Sequence, residues 1–584
     1  MQRGQLVVFA LALGPCGLAV GAWACSGDTS GATAGDDASG DSSMSAGDAL
    51  TPDSVVIPSP DASSFSCQIS PSGPPTPGDP DPVLLCSQQT ALGFLLANAY
   101  KSGTGVMSTW SASMPYAAGS VHRWQDDVGL AAAIGDFHCS SEAYGNNITT
   151  GTFDSTLPDL AGVLTKELSP VPSDYDGAIY FRLHSASLAY SYVNDSVTAP
   201  ALNAVAEAYA RAIQTTFTGT VTLPVAVDGG AEGGIPDGSA ADGSSEAAAG
   251  DAGPNDAGTG GGTTVTLIGT PGTGGTVAYE PAKSVMAAAA LLDMARLHVT
   301  DGDAGADVAT WEATALGTLA YVWARGRDPV TGLFYASLVT SSDPGHDALG
   351  TATPANDVLL TDVQGPIVLG LARAYSAATA LSLAATDAGL SVPNYPAWGN
   401  AIIAAMSAPP ASLFDGIQFM SDAGDPTAPA PPGAFLEGYV PSTGATLTNK
   451  TVLGNALLFA GSVRTGIVAA SPLSYENNGM RWALSETVPA SIALHIGYAT
   501  TPWPANTNLY SVIVDNTGQN VQQAFLRASS KAWGLAQVSP ASGTPGDAGL
   551  EPGATDYRTD ANLAFIEALT QLWLGFPNAP ACVY

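Results

Sequence analysis

The sequence predicts an all-α fold, an (α/α)6 toroid of helical hairpins, and two observations support this class. Apolar residues return at three- and four-residue spacing in about twelve segments, which Gly-, Pro- and Asp-rich loops separate. Strand patterns are few, and alanine is abundant, which favours helices and close helix–helix contact. Twelve helices with alternately long loops suit six hairpins closed into a ring. An α-solenoid is the alternative, although the sequence has no fixed repeat period.

Helical periodicity recurs along most of the chain. It is clearest in residues 282–299, where Val285, Ala289, Leu292 and Ala295 share one stripe. The predicted helices lie near residues 83–101, 127–137, 177–192, 198–215, 282–299, 308–325, 360–379, 395–406, 452–467, 486–497, 521–532 and 560–574.

Two segments of low complexity interrupt this pattern. Residues 26–81 and 227–262 are rich in Gly, Ala, Asp and Pro and poor in large apolar residues, so they bury too little surface to offset the entropy of ordering. We predict that the first is a disordered tether and the second a disordered insertion in a single domain over 82–584. Residues 218–227 and 263–268, rich in Thr and Val, are predicted to pair as a hairpin beside the insertion.

The first 25 residues have the pattern of an export signal. Arg3 precedes a mostly apolar run over 6–22, which is too short and too rich in glycine to span a membrane well. Ala24 then precedes Cys25, and this arrangement resembles a bacterial lipoprotein signal in which the cysteine is lipidated. We therefore expect the protein in the cell envelope, anchored by lipid at Cys25. An ordinary secretory signal, giving a secreted protein, is the alternative.

The charge of the chain limits the classes of molecule that it can bind. The formal net charge is −34 at pH 7, and the two low-complexity segments hold 9 and 7 of the 51 acidic residues and no basic ones. The rest of the chain is therefore still acidic, which argues against nucleic acid, anionic lipid surfaces and acidic polysaccharides as partners. A neutral polysaccharide is compatible with this charge. We expect a monomer that touches a membrane only through its lipid anchor.

Four cysteines lie beyond the signal. In an exported chain they could form two disulfides with three possible connectivities, and the residues are Cys67, Cys86, Cys139 and Cys582. A bridge between Cys67 and Cys86 would pin the tether to the first helix. No spacing of Cys or His suggests zinc, and no metal or cofactor is expected.

Two adjacent carboxylates are the strongest chemical signal. Asp126 and Asp127 follow Trp124 and open the alanine-rich run 128–137. Paired carboxylates carry out glycoside hydrolysis, so this pair is predicted to supply the acid/base and the nucleophile or second base. Adjacent side chains on an extended loop diverge, so the loop must bend to bring both to one sugar. The alternative is helix capping, which stabilises by about 1 kcal/mol, and the acidic loop 174–176 is a rival site.

The order of several motifs resembles the six-hairpin glycosidases, and among them most closely glycoside hydrolase family 76, the α-1,6-mannanases. The family's adjacent aspartates are similar to Asp126 and Asp127. Further similar elements follow in the family's order: a helix start at 280–284, a Gly-Leu-aromatic-Tyr element at 328–335, a polar-Gln-Gly helix start at 361–365 and a loop at 436–439.

This resemblance implies an exported glycoside hydrolase that acts on an α-linked neutral polysaccharide, such as α-1,6-mannan, by a two-carboxylate mechanism. A non-catalytic glycan-binding or scaffold lipoprotein on the same barrel is the alternative from another functional class.

Aromatic and polar residues near these motifs are the predicted substrate contacts. Aromatic rings on loops before helices stack on sugars or plug the core; here these are Trp124, Tyr335 and Tyr439. Arg123 is predicted to orient a carboxylate or to form a surface ion pair. The polar residues Asp362 and Gln364 are predicted either to bond sugar hydroxyls or to cap a helix.

Overall fold

The structure is a computed structural model of the chain. The residues that it describes all lie within the compact unit 57–584. They are 99–107, 109–111, 124–143, 156–167, 198–223, 263–300, 306–342, 346–350, 357–381, 394–414, 435–447, 450–465, 538–539 and 556–574, with Gly302 and single positions between 88 and 96. The tether, the insertion 227–262 and the predicted helices over 177–192, 486–497 and 521–532 lie outside them.

Helices make up most of the described structure. Most predicted helices recur with ends shifted by at most a few residues, and the helix over 157–167 was not predicted. In chain order they are α1 Trp124–Ala143, α2 Leu157–Glu167, α3 Thr198–Thr216, α4 Pro281–Thr300, α5 Ala306–Arg325, α6 Thr361–Ala380, α7 Tyr395–Ser407, α8 Val452–Thr465 and α9 Thr559–Leu574. None of these described helices is long and apolar enough to cross a bilayer.

The helices fall into an inner and an outer set. In α4 every residue from Ala282 to Ala295 is buried, and in α6 nearly every residue from Thr361 to Ala374 is buried. A helix that is buried on all faces must be surrounded by protein. The stripe predicted within residues 282–299 is therefore part of a larger buried surface: Val285, Ala289, Leu292 and Ala295 are all buried, and α4 is covered all round from Ala282 to Ala295. The outer helices, such as α2 and α3, are amphipathic instead and expose one face.

The described inner helices follow one another around a ring. Helix α4 packs on α6, α6 on α8, α8 on α9 and α9 on α1. Between α1 and α4 the described contacts run through the outer helices α2 and α3, while α5 packs outside α4 and α7 outside α6. This confirms the predicted all-α class and its toroid of helical hairpins.

Short strands cluster before the inner helices. The predicted pairing of residues 218–227 with 263–268 is confirmed, because β4 pairs antiparallel with β5 from Thr218–Ile268 to Thr222–Thr264. In chain order the strands are β1 Tyr100–Lys101, β2 Gly105–Val106, β3 Thr109–Ser111, β4 Thr218–Thr222, β5 Thr264–Ile268, β6 Thr270–Pro271, β7 Val277–Tyr279, β8 Leu338–Val339, β9 Ala348–Leu349, β10 Leu359–Leu360, β11 Gly438–Val440, β12 Ala445–Leu447, β13 Lys450–Thr451, β14 Val538–Ser539 and β15 Asp556–Arg558.

The predicted end of the first helix, at residue 101, is wrong. Tyr100 and Lys101 form β1, which pairs with β2 in a tight hairpin instead of extending the helix over 83–101. The turn between them uses positive φ values at Gly103 (71°) and Gly105 (97°), which glycine adopts without strain. Helical periodicity before the turn masked this glycine signal.

Glycines bring α6 and α8 into backbone contact. A Cβ at Gly365 would lie 2.1 Å from the carbonyl oxygen of Gly454, and one at Gly461 would lie 2.6 Å from the amide nitrogen of Leu369. Gly454 also lies against Asp362. Both contacts advance by seven residues along each helix, from Asp362–Gly454 to Leu369–Gly461, so α6 and α8 run parallel and start at the same end of the ring.

Candidate active site

Buried polar side chains gather where the inner helices begin. Each described inner helix opens with polar residues exposed by 8% or less, although its remaining length is largely apolar. Buried polar groups are costly unless they are bonded, so their concentration at one end calls for an explanation. They are Asp126 and Asp127 on α1, Lys283 and Ser284 on α4, Thr361 and Gln364 on α6, Asn455 on α8, and Asp560 and Asn562 on α9.

The fourth residue of an inner helix bonds to the backbone that precedes the helix. On α6, Gln364 accepts from the amide of Phe334 at 3.0 Å and donates to the carbonyls of Phe334 (2.9 Å) and Leu360 (3.3 Å). On α8, Asn455 repeats this pattern: it accepts from the amide of Phe435 at 2.8 Å and donates to the carbonyls of Phe435 (3.0 Å) and Thr451 (2.8 Å). The predicted bonding of Gln364 to sugar stays a prediction, since its amide already holds the chain.

Two further inner helices use their fourth residue in the same way. On α4, Ser284 donates to the carbonyl of Ile268 in β5 at 2.8 Å. On α1, the fourth residue is Asp127, whose Oδ1 accepts from the amide of Val106 in β2 at 2.6 Å. Sequence reasoning missed this role for Asp127 and Asn455, because nothing in the sequence marks which strand lies beside a helix start.

The aspartate pair lies inside a helix and not on a loop before one. We predicted a helix from residue 127, but α1 begins at Trp124, so Asp126 and Asp127 are its third and fourth residues. No Ser, Thr, Asp or Asn precedes Trp124 to mark the start, and the aspartates themselves have the pattern of a cap. Consecutive helical residues are about 100° apart around the axis. The two carboxylates therefore leave α1 in different directions.

The β1–β2 hairpin beside Asp127 is held at a second point. The hydroxyl of Tyr100 and the amide of Gly103, at 2.9 Å, both donate to Oδ2 of Asp159 on α2. The bond from Tyr100 and then that from Gly103 lower the pKa of Asp159 below its ordinary value of 3.8. Burial, with the negative charges of Asp159 and Asp127, raises the pKa of Tyr100. Two carboxylates, one on α1 and one on α2, thus bind the hairpin by hydrogen bonds.

The remaining aspartate, Asp126, lies near the contact between α1 and α9. A Cβ at Gly129 would lie 2.6 Å from Cδ1 of Leu563, so α1 and α9 touch at these residues. Both helices begin at the same end, since the hydroxyl of Thr559 donates to the carbonyl of Met107, next to Val106. Asp126 and Asp560 are each three residues before this contact, so both lie one turn nearer the starts of the two adjoining helices.

Asp560 is the carboxylate that the sequence reading missed. It is 5% exposed, and its Oδ1 accepts from the amide of Ala561 at 2.7 Å. A signal was present: α9 opens with Thr559-Asp560 before an apolar run, as α6 opens with Thr361-Asp362. Its position beside the start of α1 had no signal, because that position depends on which helices adjoin in the ring.

Asp362 caps a helix, although not its own. Its Oδ1 accepts from the amide of Gly454 at 2.8 Å and from the hydroxyl of Thr451, both at the start of α8. The residue before α6, Leu360, provides no side-chain cap. A carboxylate at a helix N-terminus is favoured by the helix dipole. Of the two roles predicted for Asp362, this contact supports capping, and bonding to a sugar hydroxyl stays a prediction.

The two predicted tyrosine platforms are buried. Tyr335 is 5% exposed and its hydroxyl donates to Oδ1 of Asp328 at 2.7 Å. Burial alone would raise the pKa of Asp328, but bonds from Tyr335 and Thr331 hold that pKa below its usual value. Tyr439 is 7% exposed and lies in β11, paired with Leu359. Stacking of these rings on a sugar stays a prediction, and this conformation offers neither ring an open face.

A second buried charge network holds the loop after α5. Arg325 donates through Nε and Nη2 to Oδ1 of Asp347 at 3.2 and 3.0 Å, and Tyr279 donates to Oδ2 at 2.9 Å. Asp347 is fully buried. Burial and then the charge of Asp347 raise the pKa of Tyr279 far above its ordinary value. This network ties β7 to the end of α5 and fixes the strands before α4.

Other predicted site residues lie wholly or partly outside the description. Trp124 opens α1, but its side chain is not described, and Arg123 and the acidic loop 174–176 lie outside the described residues. So do Cys25, Cys67, Cys86 and Cys582, while Cys139 lies in α1 with its side chain outside the description. Within the described part, no group of three or more His, Cys, Asp or Glu side chains is arranged to hold a metal ion.

Comparison with known proteins adds little to this geometry. No family model matches the chain, and no curated protein matches it. Among solved structures, an unsaturated glucuronyl hydrolase specific for heparin has a TM-score of 0.46 at 11% identity, covering 84% of this chain and 97% of its own.

Two further solved structures are similar to nearly the same degree. A family 76 glycoside hydrolase from a bovine Bacteroides thetaiotaomicron strain gives a TM-score of 0.43 at 10% identity, covering 84% of this chain and 78% of its own. The GH76A alpha-1,6-mannanase from Salegentibacter sp. HEL1_6 gives 0.42 at 10% identity, covering 84% of this chain and 99% of its own. Scores below 0.5 carry no argument about activity, so the function proposed below rests on this chain's own residues.

Proposed function

We propose that the protein is a glycoside hydrolase acting on an α-linked neutral polysaccharide, with α-1,6-mannan as the first substrate to test. The observation that carries the proposal is the set of three carboxylates, Asp126, Asp127 and Asp560, buried at the adjoining starts of α1 and α9. Buried carboxylates are costly to keep. Glycoside hydrolysis is a reaction that uses two of them on either side of one bond.

Asp126 is the reacting carboxylate common to both possible pairs. The sequence predicts Asp127 as its partner, and the register between α1 and α9 supports Asp560. In either pair, one carboxyl group protonates the leaving oxygen, while the other attacks the sugar or activates a water molecule. The separation of the two groups would then decide between retention and inversion of configuration.

The class of substrate follows from charge and from motif order. A net charge of −34 repels acidic polysaccharides and tolerates neutral ones. The order of the motifs at 126–127, 280–284, 328–335, 361–365 and 436–439 resembles the α-1,6-mannanases, which is why mannan is the first choice.

A hydrolysis screen tests the proposal. The full chain would be incubated with a panel of neutral α-glycans, including α-1,6-mannan, and new reducing ends would be measured. Asp126→Asn and Asp560→Asn are each expected to lower the rate by about 10²–10⁴-fold, the usual contribution of a positioned acid or base. Asp307→Asn is the matched control, since it changes the first turn of the outer helix α5, where the aspartate side chain is 59% exposed.

The possible outcomes test the role of Asp126 and the identity of its partner carboxylate. Cleavage that survives Asp126→Asn would reject the reacting role of Asp126. Loss of cleavage with Asp126→Asn but not with Asp560→Asn would favour the pair that the sequence predicts.

A second candidate function is binding of glycan without cleavage. The burial of Tyr335 and Tyr439 supports the scaffold form of this alternative, because neither ring offers a sugar the open face that a cleft would use for stacking. Binding of mannan that leaves its chain length unchanged would support this glycan-binding or scaffold function.

Export and anchoring form a separate part of the proposal. The signal pattern before Cys25 supports a lipid-anchored protein of the cell envelope. Cys25→Ser is expected to abolish incorporation of labelled fatty acid and to release the protein from membranes. Labelling that persists in this variant would reject the anchor at Cys25.

A further inference from the structure

We propose that Arg327 binds the carboxylate or phosphate group of an acidic sugar, at a site formed with Trp323 and Trp398 on the outside of the ring. The sugar would be a single acidic unit of an otherwise neutral glycan. The site is built from the end of α5 and the start of α7, and not from the aspartates at the starts of α1 and α9. The inference therefore holds or fails independently of the proposed hydrolysis.

Arg327 is the exception among the arginine side chains that the structure describes. Each of the others pairs with a carboxylate: Arg211 with Glu207 and Asp307, Arg296 with Asp293, Arg325 with Asp347, and Arg373 with Glu567. Acidic residues are not scarce, since the chain has 51 of them against 17 basic ones. No described carboxylate pairs with Arg327, and the adjacent Asp328 bonds to Tyr335 and Thr331 instead. This cation is therefore available to an anion from outside the described chain.

The guanidinium group of Arg327 is held in place by Trp323. Its Cζ lies 4.0 Å from the centre of the Trp323 ring, and its Nε donates to the carbonyl of Trp323 at 2.9 Å. Trp398 stacks on Trp323 with ring centres 4.2 Å apart and planes 4° apart. Burial lowers the pKa of Arg327, but an arginine stays charged in proteins. The cation is thus oriented before a ligand arrives, which reduces the entropy that binding costs.

The nitrogens at the tip of Arg327 are left for a ligand. Nε already donates to Trp323, whereas no described residue bonds to Nη1 or Nη2, and the side chain is partly exposed. The planar guanidinium group presents two parallel N–H donors that match two oxygens of a carboxylate or a phosphate. The geometry is therefore suited to an oxyanion.

The two tryptophans beside the charge favour a sugar over a free anion. Trp323 and Trp398 are both partly exposed, so the stack offers apolar surface next to the cation. Aromatic side chains supply large rigid contact surfaces of this kind. An acidic sugar has the complementary form, because the apolar C–H groups of its ring lie next to its anionic group.

The acidity of the chain limits the number of charges on the ligand. One oxyanion gains from direct contact with Arg327, whereas further negative groups meet a chain with a net charge of −34. Salt screens this repulsion only beyond about 8 Å at physiological ionic strength. We therefore expect one acidic unit to bind better than a polyanion.

The site lies beside the start of an inner helix. The backbone of Arg327 pairs with that of Phe334, and the amide of Phe334 donates to Gln364 in the first turn of α6. The rings of Trp323 and Phe334 also touch, with centres 5.9 Å apart. A glycan bound by Arg327 would therefore be held next to the end of the ring where α6 begins.

Titration calorimetry on the full chain tests the proposal. The probes are methyl α-D-glucuronide and mannose 6-phosphate, with methyl α-D-mannoside as the neutral sugar, inorganic phosphate as the free anion and polygalacturonate as the polyanion. The two acidic sugars are expected to bind at least about tenfold more tightly than the other three, because only they offer both the anion and the ring.

Three substitutions identify the residue. Arg327→Gln is expected to weaken binding of both acidic sugars by about 10–100-fold, since it removes a charge-assisted pair of hydrogen bonds. Arg327→Lys keeps the charge but not the two parallel donors, so its affinity should lie between those of Arg327→Gln and the wild type. Arg211→Gln is the matched control, because it removes the same charge from a side chain that is 58% exposed on α3. It should bind as the wild type does.

A measurement on the wild type covers the case in which Arg327→Gln does not fold. Phenylglyoxal reacts with accessible guanidinium groups, and mass spectrometry of the digested protein measures the rate at each arginine. With methyl α-D-glucuronide at about ten times its Kd, the reaction at Arg327 is expected to slow about tenfold, because about nine sites in ten are occupied. The reaction at Arg211 should be unchanged.

Each contrary result overturns a defined part of the inference. Unchanged affinity in Arg327→Gln, or no saturable binding of either acidic sugar, rejects the site. Equal affinity for the neutral sugar rejects recognition of the anion, and equal affinity for inorganic phosphate rejects recognition of the sugar. Tighter binding of polygalacturonate rejects the preference for a single acidic unit.

Discussion

Two sectors of the ring use the same positions with different side chains. In the α6–α8 sector, formed by the first two turns of these helices, the second residue of α6, Asp362, lies against the third residue of α8, Gly454. In the α1–α9 sector, formed by the first two turns of α9 and α1, the second residue of α9 is Asp560 and the third of α1 is Asp126. A carboxylate thus stands where the other sector has a glycine.

This difference distinguishes the polar side chains that hold the fold together from a carboxylate that the fold can accommodate. In the α6–α8 sector the aspartate caps the neighbouring helix, and the fourth residues of both helices are neutral amides that bond to the backbone. The α1–α9 sector adds Asp126 at a position that a glycine can fill. A buried carboxylate is tolerated only where it is bonded or paired, a requirement that the glycine of the other sector does not have.

The largest expected effect concerns a buried ion pair that joins α6 to α9 beyond the two sectors. Arg373 on α6 and Glu567 on α9 form an ion pair with both side chains 2% exposed, and Gln571 donates to the same carboxylate oxygen at 3.1 Å. Glu567→Ala is expected to lower the free energy of unfolding by about 3–5 kcal/mol, because it strands a buried charge. Denaturant unfolding measures this loss.

An exposed ion pair gives the control for that substitution. Arg211 is 58% exposed beside Glu207 and Asp307, so Arg211→Ala is expected to cost less than about 1 kcal/mol. Equal losses in the two variants would show that the buried pair contributes no more to stability than an exposed one.

The next largest effect is the loss of stability when a glycine of each sector is replaced by alanine. Gly365→Ala would drive a Cβ to 2.1 Å from the backbone oxygen of Gly454, whereas Gly129→Ala would meet only the end of the Leu563 side chain at 2.6 Å. Backbone cannot move aside cheaply, so we expect Gly365→Ala to lose about 3 kcal/mol or more. Gly129→Ala should lie within about 1 kcal/mol of the wild type, since alanine favours helix. Thermal unfolding compares the pair, and similar melting temperatures would contradict the close packing of α6 on α8.

Replacing the amide of Asn455 by a carboxylate is expected to have a smaller effect on stability. Asn455→Asp keeps the acceptor for Phe435 but turns a carboxylate towards the carbonyls of Phe435 and Thr451. We expect a loss of about 1–3 kcal/mol, the cost of leaving buried groups unbonded. The loss should shrink on acidification as the new carboxyl group protonates. A stability equal to that of the wild type at pH 7 would remove the distinction between amide and acid positions.

The smallest expected effect depends on pH. Because the bonds from Tyr100 and Gly103 lower the pKa of Asp159 in the folded protein, its contribution is complete above the ordinary pKa of 3.8 and disappears as the pH falls through the lowered value. The difference in melting temperature between the wild type and Asp159→Ala should therefore be constant near neutral pH. It should disappear below about pH 4. A difference that persists unchanged in strong acid would show that the β1–β2 hairpin does not depend on this charge.

Local sequence was enough to predict most helices. Alanine and leucine at helical spacing mark α4, α6 and α9 whatever surrounds them, and the Thr- and Val-rich strands β4 and β5 were found by composition. The start of α1 was missed because its aspartates have the pattern of a cap. The helix α2 was missed because it is short, although Pro158 near its start is a recognised signal.

The sequence by itself determined the helical class, the closed ring as its natural solution, and the aspartates 126 and 127 as groups of interest. Tertiary structure alone decided what these helix starts meet: Asp127 meets the amide of Val106, Asp362 the start of α8, and α1 packs on α9 where Gly129 lies against Leu563. The physical reason is that periodicity records which face of a helix is covered, but not by which neighbour. That assignment is made when the first and last inner helices meet and close the ring.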